Sequence, residues 1–273
     1  MTADPTYRGF ALDADTALAL LQWQAELGAD EPCLDAAVNR YDMPDRAEPA
    51  APPVAALSAA PPVMRPADAA ADLTVMAEAA AAAATTLAQL AAAQEAFDGI
   101  ELKKGARNFC FADGNPGARV MVIGEAPGEE EDLQGRPFVG RAGQLLDRMF
   151  AAIGLARDAV DAEKALYITN VLTWRPPGNR RPEPAEIAVM LPFLRRHVEL
   201  AQPDLLVLMG NTPCIAALNR QGILKLRGSW TEAFGLPALP MTHPSYLLRT
   251  PLAKREAWAD LLSLAARLDG QSA

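Results

Sequence analysis

The segment of residues 118–150 constrains the fold of this chain more than any other. It begins with a short apolar, largely β-branched run, residues 120–123, which ends at Gly124. Such a run is typical of a strand buried on both faces of a parallel sheet. A loop rich in glycine and proline follows, and apolar residues then recur at helical spacing: Leu145, Leu146, Met149 and Phe150. The segment therefore predicts a strand, a loop and a helix, with the loop at the strand's carboxyl end, where α/β folds bind ligands.

Four consecutive acidic residues, 129–132, lie in that loop. They are typical of a solvated turn at the start of a helix, because carboxylates favour helix N-termini. A carboxylate metal cluster is a second interpretation, although no histidine lies nearby and hard cations need oxygens at defined spacings. A phosphate site is a third, but the loop matches neither GxGxxG nor the P-loop pattern, and its carboxylates would repel an anion. The loop is better suited to a neutral, planar ligand.

The rest of the chain repeats the alternation of strand and helix. Apolar runs predict strands near residues 119–123, 166–170, 205–209 and 238–241, and helical patterns lie near residues 140–153, 184–199, 212–219 and 254–268. This order predicts a three-layer αβα sandwich with a mostly parallel four-stranded central sheet. Gly124, Asn170, Gly210 and His243 all fall at the carboxyl ends of predicted strands, so they are expected at one edge of the sheet and around a single cleft.

The N-terminal part of the chain differs in composition. Residues 1–70 are interpreted as an acidic extension, with an amphipathic helix at residues 13–27 and an Ala/Pro-rich linker at residues 43–66. Residues 71–273 are interpreted as the α/β domain, which begins with an Ala-rich segment, 72–97, predicted to be helical.

The chain has a net charge of −9, and its excess of acidic residues lies in the N-terminal third. Residues 1–98 contain 4 Lys+Arg and 15 Asp+Glu of the chain totals of 25 and 34, which leaves 21 and 19 for residues 99–273. The acidic balance therefore does not exclude nucleic-acid binding by the larger domain.

Cysteine usage and hydropathy bear on the compartment. Cys33, Cys110 and Cys214 are far apart and form no CxxC motif, which favours reduced thiols over a disulfide framework. Cys110 and Cys214 are expected to be small buried residues. The N-terminus has neither the basic region nor the apolar core of a signal peptide, and no stretch is apolar enough to span a bilayer. We expect a cytoplasmic protein that does not bind membranes.

Five motifs occur in an order and spacing that resemble the family 4 uracil-DNA glycosylases over about residues 97–268: GEAPGEEED, PFVGRAGQLLD, YITNVL, RPPGNRRP and THPSYLLR. The resemblance implies a monofunctional DNA glycosylase for base excision repair, which flips uracil out of DNA and hydrolyses its N-glycosidic bond to leave an abasic site. The alternative is a non-catalytic DNA- or partner-binding protein that retains the fold. A monomer is expected, with a possible protein partner for the N-terminal extension.

The same resemblance implies a set of residues around the base: Gly124, Glu125, Phe138, Asn170 and His243. Phe138 would stack on uracil, Asn170 would read its N3–H and O4 edge, and His243 would hold O2 as negative charge grows there. Glu125 would position water or stabilise the cationic sugar. Judged from the residues alone, Phe138 also fits a core position, Asn170 a turn cap, and Glu125 a carboxylate bonded to loop amides.

The resemblance also implies which residues face DNA. Ser245 would bind a phosphate, Leu247 would enter the space vacated by the flipped base, and Arg249 would attract the backbone. Arg175 and Asn179 lie in a proline-rich loop, with two further arginines, that could touch the same strand; a solvated basic loop is the other interpretation. His197, inside a helical pattern, is expected to be a surface or boundary residue.

One departure from the family concerns its cofactor. Most members hold a 4Fe–4S cluster with four cysteines, and the flanking motifs place Phe97, Ile100, Trp174 and Met190 at those positions. Apolar side chains cannot bind iron as thiolates do. We therefore predict no metal and no cofactor, with a small hydrophobic cluster in the vacated volume.

Overall fold

The structure is a computed structural model that describes residues 6–7, 10–11 and 66–270. The chain divides into two units, Met1–Ala60 and Pro61–Ala273. Within the first, strands β1 (Thr6–Tyr7) and β2 (Phe10–Ala11) form an antiparallel pair. The helix predicted at residues 13–27 and nearly all of the linker predicted at residues 43–66 lie outside the described residues.

The second unit contains a sheet with helices on both sides. Its strands are β3 (Ala112–Gly114), β4 (Val120–Gly124), β5 (Leu166–Asn170), β6 (Leu205–Met209), β7 (Thr231–Ala233) and β8 (Leu236–Met241). Its helices are α1 (Pro66–Ala83), α2 (Leu87–Ala96), α3 (Glu129–Gln134), α4 (Arg141–Ala151), α5 (Pro184–Ala201), α6 (Asn211–Leu218), α7 (Ile223–Leu226), α8 (Pro244–Arg249) and α9 (Lys254–Leu268).

The sheet has the order β3-β5-β4-β6-β8-β7. The four predicted strands form its parallel centre, and the mostly parallel α/β architecture is confirmed. The short strands β3 and β7 add antiparallel edges, so the sheet has six strands instead of the predicted four. The sequence concealed both edges because each is only three residues long, ADG and TEA, and neither contains an apolar run.

Side chains alternate between the two faces of the central strands, as the pleat requires. On one face, Met121 and Ile123 pack with residues of α1, α2, α5 and α6. On the other face, Val120 and Val122 pack with Leu146 and Phe150 of α4 and with residues of α9. All five residues of β4 are buried, which confirms the interpretation of this run as a central strand and gives the three layers of an αβα sandwich.

The Ala-rich segment 72–97 is not one continuous helix. It is interrupted between α1 and α2, where the Thr86 side chain accepts a hydrogen bond from the Gln89 amide and caps α2. Arg196 donates two hydrogen bonds, at 3.0 and 2.8 Å, to the carbonyl of Ala84 at the end of α1. Because a threonine cap and a captured carbonyl satisfy the freed backbone groups, they override the helix propensity of alanine.

His197 is buried rather than at the surface, so that expectation was wrong. Its ring is 3% exposed, lies parallel to Phe111 at a centroid distance of 4.3 Å, and bonds the hydroxyl of Tyr167 through Nε2 at 2.8 Å. Burial lowers the pKa of His197 to about 3, so the ring is neutral. The helical pattern, in which Arg195 and Arg196 directly precede His197, did not reveal that this one position faces the core.

Cys110 and Cys214 are free, buried residues, as predicted. In the part of the chain that the structure describes, we found no helix with the length and hydropathy of a membrane span.

Candidate active site

The carboxyl ends of the central strands meet at an open cleft of about 330 Å³. β4 ends at Gly124, β5 ends at Asn170, and His243 follows β8 after one intervening residue. Gly210, which follows β6, lies directly against His243: a Cβ on this glycine would be 3.3 Å from the Cβ of the histidine. The cleft brings together seven of the residues singled out from the sequence: Glu125, Phe138, Asn170, Asn179, His243, Ser245 and Arg249.

Phe138 is held over the end of β4. Its side chain is 5% exposed, and its ring lies 5.4 Å from the ring of His243 at an angle of 28°. Gly124 makes this position accessible, because a Cβ there would lie 2.4 Å from the phenylalanine ring and 2.3 Å from Oδ1 of Asn170. Glycine at residue 124 is therefore needed for both side chains to reach the cleft.

The backbone around Phe138 is unusual and is tightly held. Phe138 has a φ of 54°, in the left-handed region that a phenylalanine rarely adopts. Glu131 accepts hydrogen bonds from the next two amides, those of Val139 and Gly140, at 3.0 and 2.9 Å. Gly143 approaches so closely that a Cβ would lie 1.8 Å from the Phe138 carbonyl oxygen.

The acidic run 129–132 divides into two kinds of residue. Glu129 and Glu130 are exposed at the start of α3, as expected for a solvated helix start. Glu131 binds loop amides, and Asp132 is 3% exposed and accepts hydrogen bonds from the amides of Arg107 and Asn108 at 2.8 and 3.2 Å. Among the described residues, no group of three or more His, Cys, Asp and Glu side chains is arranged to hold a metal ion.

Asn170 presents an unsatisfied acceptor. Its side chain is 3% exposed, and its Oδ1 atom is buried with no hydrogen-bond partner among the described residues. An unpaired buried amide oxygen costs free energy, about 1–3 kcal/mol, so it is suited to accept a hydrogen bond from a ligand that enters the cleft.

His243 caps helix α8 with its imidazole. Its Nδ1 accepts a hydrogen bond from the Ser245 amide at 3.1 Å and lies 2.8 Å from the Ser245 hydroxyl. Burial lowers the pKa of His243 to about 4; the charge of Arg249 lowers it further, and Glu131 opposes this. Because Nδ1 is the acceptor in a neutral ring, the proton is on Nε2. The cleft therefore contains a neutral imidazole with an N–H donor available to a ligand.

Glu125 is half-buried, and one of its oxygens is fixed. Oε2 accepts a hydrogen bond from the hydroxyl of Thr212 at 2.6 Å, and Thr212 is itself buried in the first turn of α6. Thr212 was not singled out from the sequence, and Glu131 was considered only as part of the acidic run 129–132, not as a residue that holds the Phe138 loop. Their partners lie 87 and 8–9 residues away, so no local pattern announces either contact.

The residues predicted to face DNA have different surroundings. Ser245 and Arg249 line the cleft. Arg175 contacts the cleft through Asn179, because its Nε donates to Asn179 Oδ1 at 2.8 Å, and it lies 3.8 Å from the carboxylate of Glu129.

Leu247 is buried in this structure, and its predicted entry into DNA stays a prediction. Its side chain is 0% exposed and packs with Leu145, Ala253 and Ala257, so in this structure it cannot insert into a duplex. Leu247 fills the space between α8 and the adjacent helices because this side of α8 faces the core.

The four positions aligned with cluster ligands are occupied by core side chains. Phe97, Ile100, Trp174 and Met190 are between 0% and 7% exposed and belong to one hydrophobic cluster. Phe97 packs edge-on against Phe193 at 5.3 Å, and Trp174 lies 5.0 Å from Phe109. These side chains offer no thiolate, so they do not fit an iron–sulfur cluster.

The architecture and the cleft define the chain as a three-layer α/β protein with a polar cleft at the carboxyl edge of a mostly parallel sheet. Residues 111–262 match the uracil DNA glycosylase superfamily. The chain is 41% identical over 145 residues to the type-4 uracil-DNA glycosylase of Thermotoga maritima; the alignment covers 52% of this chain and 72% of the relative. It is 40% identical to that of Sulfurisphaera tokodaii (53% and 67% covered) and 36% identical to that of Archaeoglobus fulgidus (59% and 82% covered). The chain belongs to the type-4 uracil-DNA glycosylase family.

Proposed function

We propose that this protein removes uracil from DNA by hydrolysing the bond between N1 of the base and C1′ of the sugar, leaving an abasic site for base excision repair. The observation that supports this most directly is the presence of three complementary groups in one cleft: the ring of Phe138, the unpaired Oδ1 of Asn170 and the neutral imidazole of His243. Family membership supports a uracil-DNA glycosylase function independently of the geometry.

Base recognition requires a flat apolar surface and a matched hydrogen-bonding edge. Phe138 supplies the stacking surface, worth about 1–3 kcal/mol per base. The Asn170 Oδ1 atom accepts the N3–H of uracil, which satisfies a buried oxygen that otherwise has no partner among the described residues. A base in the cleft thereby supplies a partner for an oxygen that no described protein group satisfies.

Bond cleavage places negative charge on the departing base. The Nε2–H of His243 donates to O2 of uracil, and a pKa of about 4 keeps the imidazole neutral near pH 7. A water oxygen bonds to C1′ while the C1′–N1 bond breaks, and the electron pair of that bond stays on uracil. The carboxylate of Glu125, oriented by Thr212, holds the water and takes up its proton.

DNA binding is assigned to the rim of the cleft. Arg249 and Ser245 on α8, with Asn179 and Arg175 on the facing loop, bind phosphates on the two sides of the flipped nucleotide. Leu247 has no place in this proposal because it is buried.

We also propose that the protein works without an iron–sulfur cluster. The proposal rests on the four apolar side chains at the ligand positions and on their burial in one cluster with Phe193.

Cleavage of uracil-containing DNA tests the proposed function. Purified protein is incubated with single-stranded and double-stranded oligonucleotides that contain one uracil, and abasic sites are converted to breaks with alkali. We expect breaks only at uracil, and none with a Phe138→Ala, His243→Ala double variant. DNA binding without any breaks would instead identify a non-catalytic protein that retains the fold.

A further inference from the structure

Arg157, in the connection between α4 and β5, has its guanidinium directed at the loop that carries Phe138. Nη2 donates to the carbonyl of Phe138 at 2.8 Å, and Nη1 donates to the carbonyl of Pro137 at 3.1 Å. The side chain is 14% exposed, so these hydrogen bonds are largely shielded from water.

Two carboxylates fix the guanidinium in turn. Nη1 donates to Oδ2 of Asp113 on β3 at 2.9 Å, and Nε donates to Oδ1 of Asp147 on α4 at 2.8 Å. Arg157 therefore joins the edge strand, a helix and the Phe138 loop through one planar group. A lysine could not reproduce this arrangement, because its ammonium is a single point without the fixed fork of donors.

The contact has a specific consequence at Phe138. A phenylalanine with a φ of 54° is in a sparsely populated conformation, which persists only where the surroundings hold it. Arg157 binds the carbonyls on both sides of the Phe138 nitrogen and α-carbon, and so opposes rotation of the backbone that would swing the ring away from the cleft.

We propose that Arg157 is a positioning residue for uracil capture, which acts through the backbone of Phe138 and does not touch the base. The proposal rests on the proposed function, and it extends that function to a residue outside the cleft. A purely structural ion pair would affect stability alone, whereas a positioning residue also sets the affinity of the cleft for uracil.

The test measures binding of free uracil, which occupies the cleft without needing DNA. By calorimetry or NMR titration, Arg157→Gln should weaken uracil binding about tenfold, as partial loss of base stacking implies. Affinity for abasic DNA should stay within about twofold, because phosphate contacts dominate it. Arg157→Lys, which keeps the charge beside Asp113, should lose uracil affinity with a smaller change in melting temperature; it provides the readout if the glutamine variant folds poorly.

A double variant shows whether Arg157 acts through Phe138. If it does, adding Arg157→Gln to Phe138→Ala should change uracil affinity by less than about twofold, because the two effects share one path. Arg119→Gln is the matched control: Arg119 also bridges two carboxylates, Glu163 at 2.8 Å and Asp204 at 2.6 Å, but at the opposite end of β4.

Two results would overturn the proposal: wild-type uracil affinity in folded Arg157 variants, or losses that simply add in the double variant. Failure of the proposed function looks different, since the wild-type protein itself would then neither bind uracil nor cleave uracil-containing DNA.

Discussion

Replacing His243 with asparagine separates the two tasks that the structure gives to this residue. The imidazole caps α8 through Nδ1 and offers Nε2–H to the cleft. Asparagine is a strong N-cap, so its side-chain oxygen should still accept from the Ser245 amide. Its shorter amide cannot place a donor where Nε2 lies. Alanine at the same position removes both the cap and the donor.

The magnitude follows from the single donor that is lost. Removing one hydrogen-bond donor to a developing oxyanion typically lowers the rate by about 10²–10³-fold, or about 2.7–4 kcal/mol. Both His243→Asn and His243→Ala should show this loss. Only the alanine variant should also lose a cap, which costs about 0.5–2 kcal/mol of stability. DNA affinity should change little in the asparagine variant, because Ser245 and Arg249, the residues proposed to bind phosphates, keep their positions on α8.

Single-turnover cleavage of a uracil-containing oligonucleotide measures the chemical step, and a gel-shift or fluorescence titration measures DNA binding separately. Nitrogen-15 spectra of the histidine rings at pH 6 should show His243 neutral with its proton on Nε2, since its pKa is lowered to about 4. If His243→Asn cleaves at nearly the wild-type rate, the cap and not the donor is what catalysis needs, and the assignment of His243 to O2 fails.

Three further predictions follow from burial. Protein purified from an iron-replete culture should be colourless and active, because core side chains occupy the ligand positions; about four iron atoms per chain with a visible charge-transfer band would contradict this. Leu247→Ala should lower the free energy of unfolding by about 2–5 kcal/mol in a denaturant titration while DNA affinity is kept; unchanged stability with lost affinity would mean that Leu247 turns outward on DNA. His197 has a pKa of about 3 in the folded protein and an ordinary pKa of 6.5 in the unfolded chain. As pH falls, the unfolded chain therefore binds a proton at this histidine before the folded protein does. The stability that the neutral ring provides is lost as pH falls from about 6.5 to about 3. The stability advantage of the wild type over His197→Gln should therefore shrink over this window, by at most about 1.4 kcal/mol per pH unit, and a constant difference would refute the assigned pKa.

The central strands could be predicted because a strand that is buried on both faces appears in the sequence as a continuous apolar run. β4, β5 and β6 are each five residues long and buried throughout, and two of them match their predicted bounds. The edge strands have no such apolar run, because a three-residue strand that pairs with a single neighbouring strand needs few apolar side chains. Helix boundaries were hard to predict for a similar reason. The Thr86 cap starts a new helix within an Ala-rich segment whose propensity favours one continuous helix.

Residues at strand ends were predictable for a related reason. Gly124 and Asn170 end strands, His243 follows one, and parallel strands bring their carboxyl ends to one edge. The burial of Leu247 and His197 was not predicted because both lie on helices. On a helix, a small rotation decides whether a residue faces the surface or the core, and the pattern around these two positions was ambiguous.

The supporting contacts follow a different rule, which explains why sequence reasoning missed them. Thr212 orients Glu125 across 87 residues, and Arg157 holds the Phe138 carbonyl across 19. Threonine and arginine are common at helix starts and in surface loops, so neither residue type indicates a role by itself. Their importance comes from the group that each one binds. Thr212 fixes the orientation of the Glu125 carboxylate, and Arg157 fixes the strained backbone of Phe138. A cleft of this kind depends on such distant partners because Glu125 and Phe138 sit on loops, which do not hold a fixed geometry without contacts to the rigid sheet and helices.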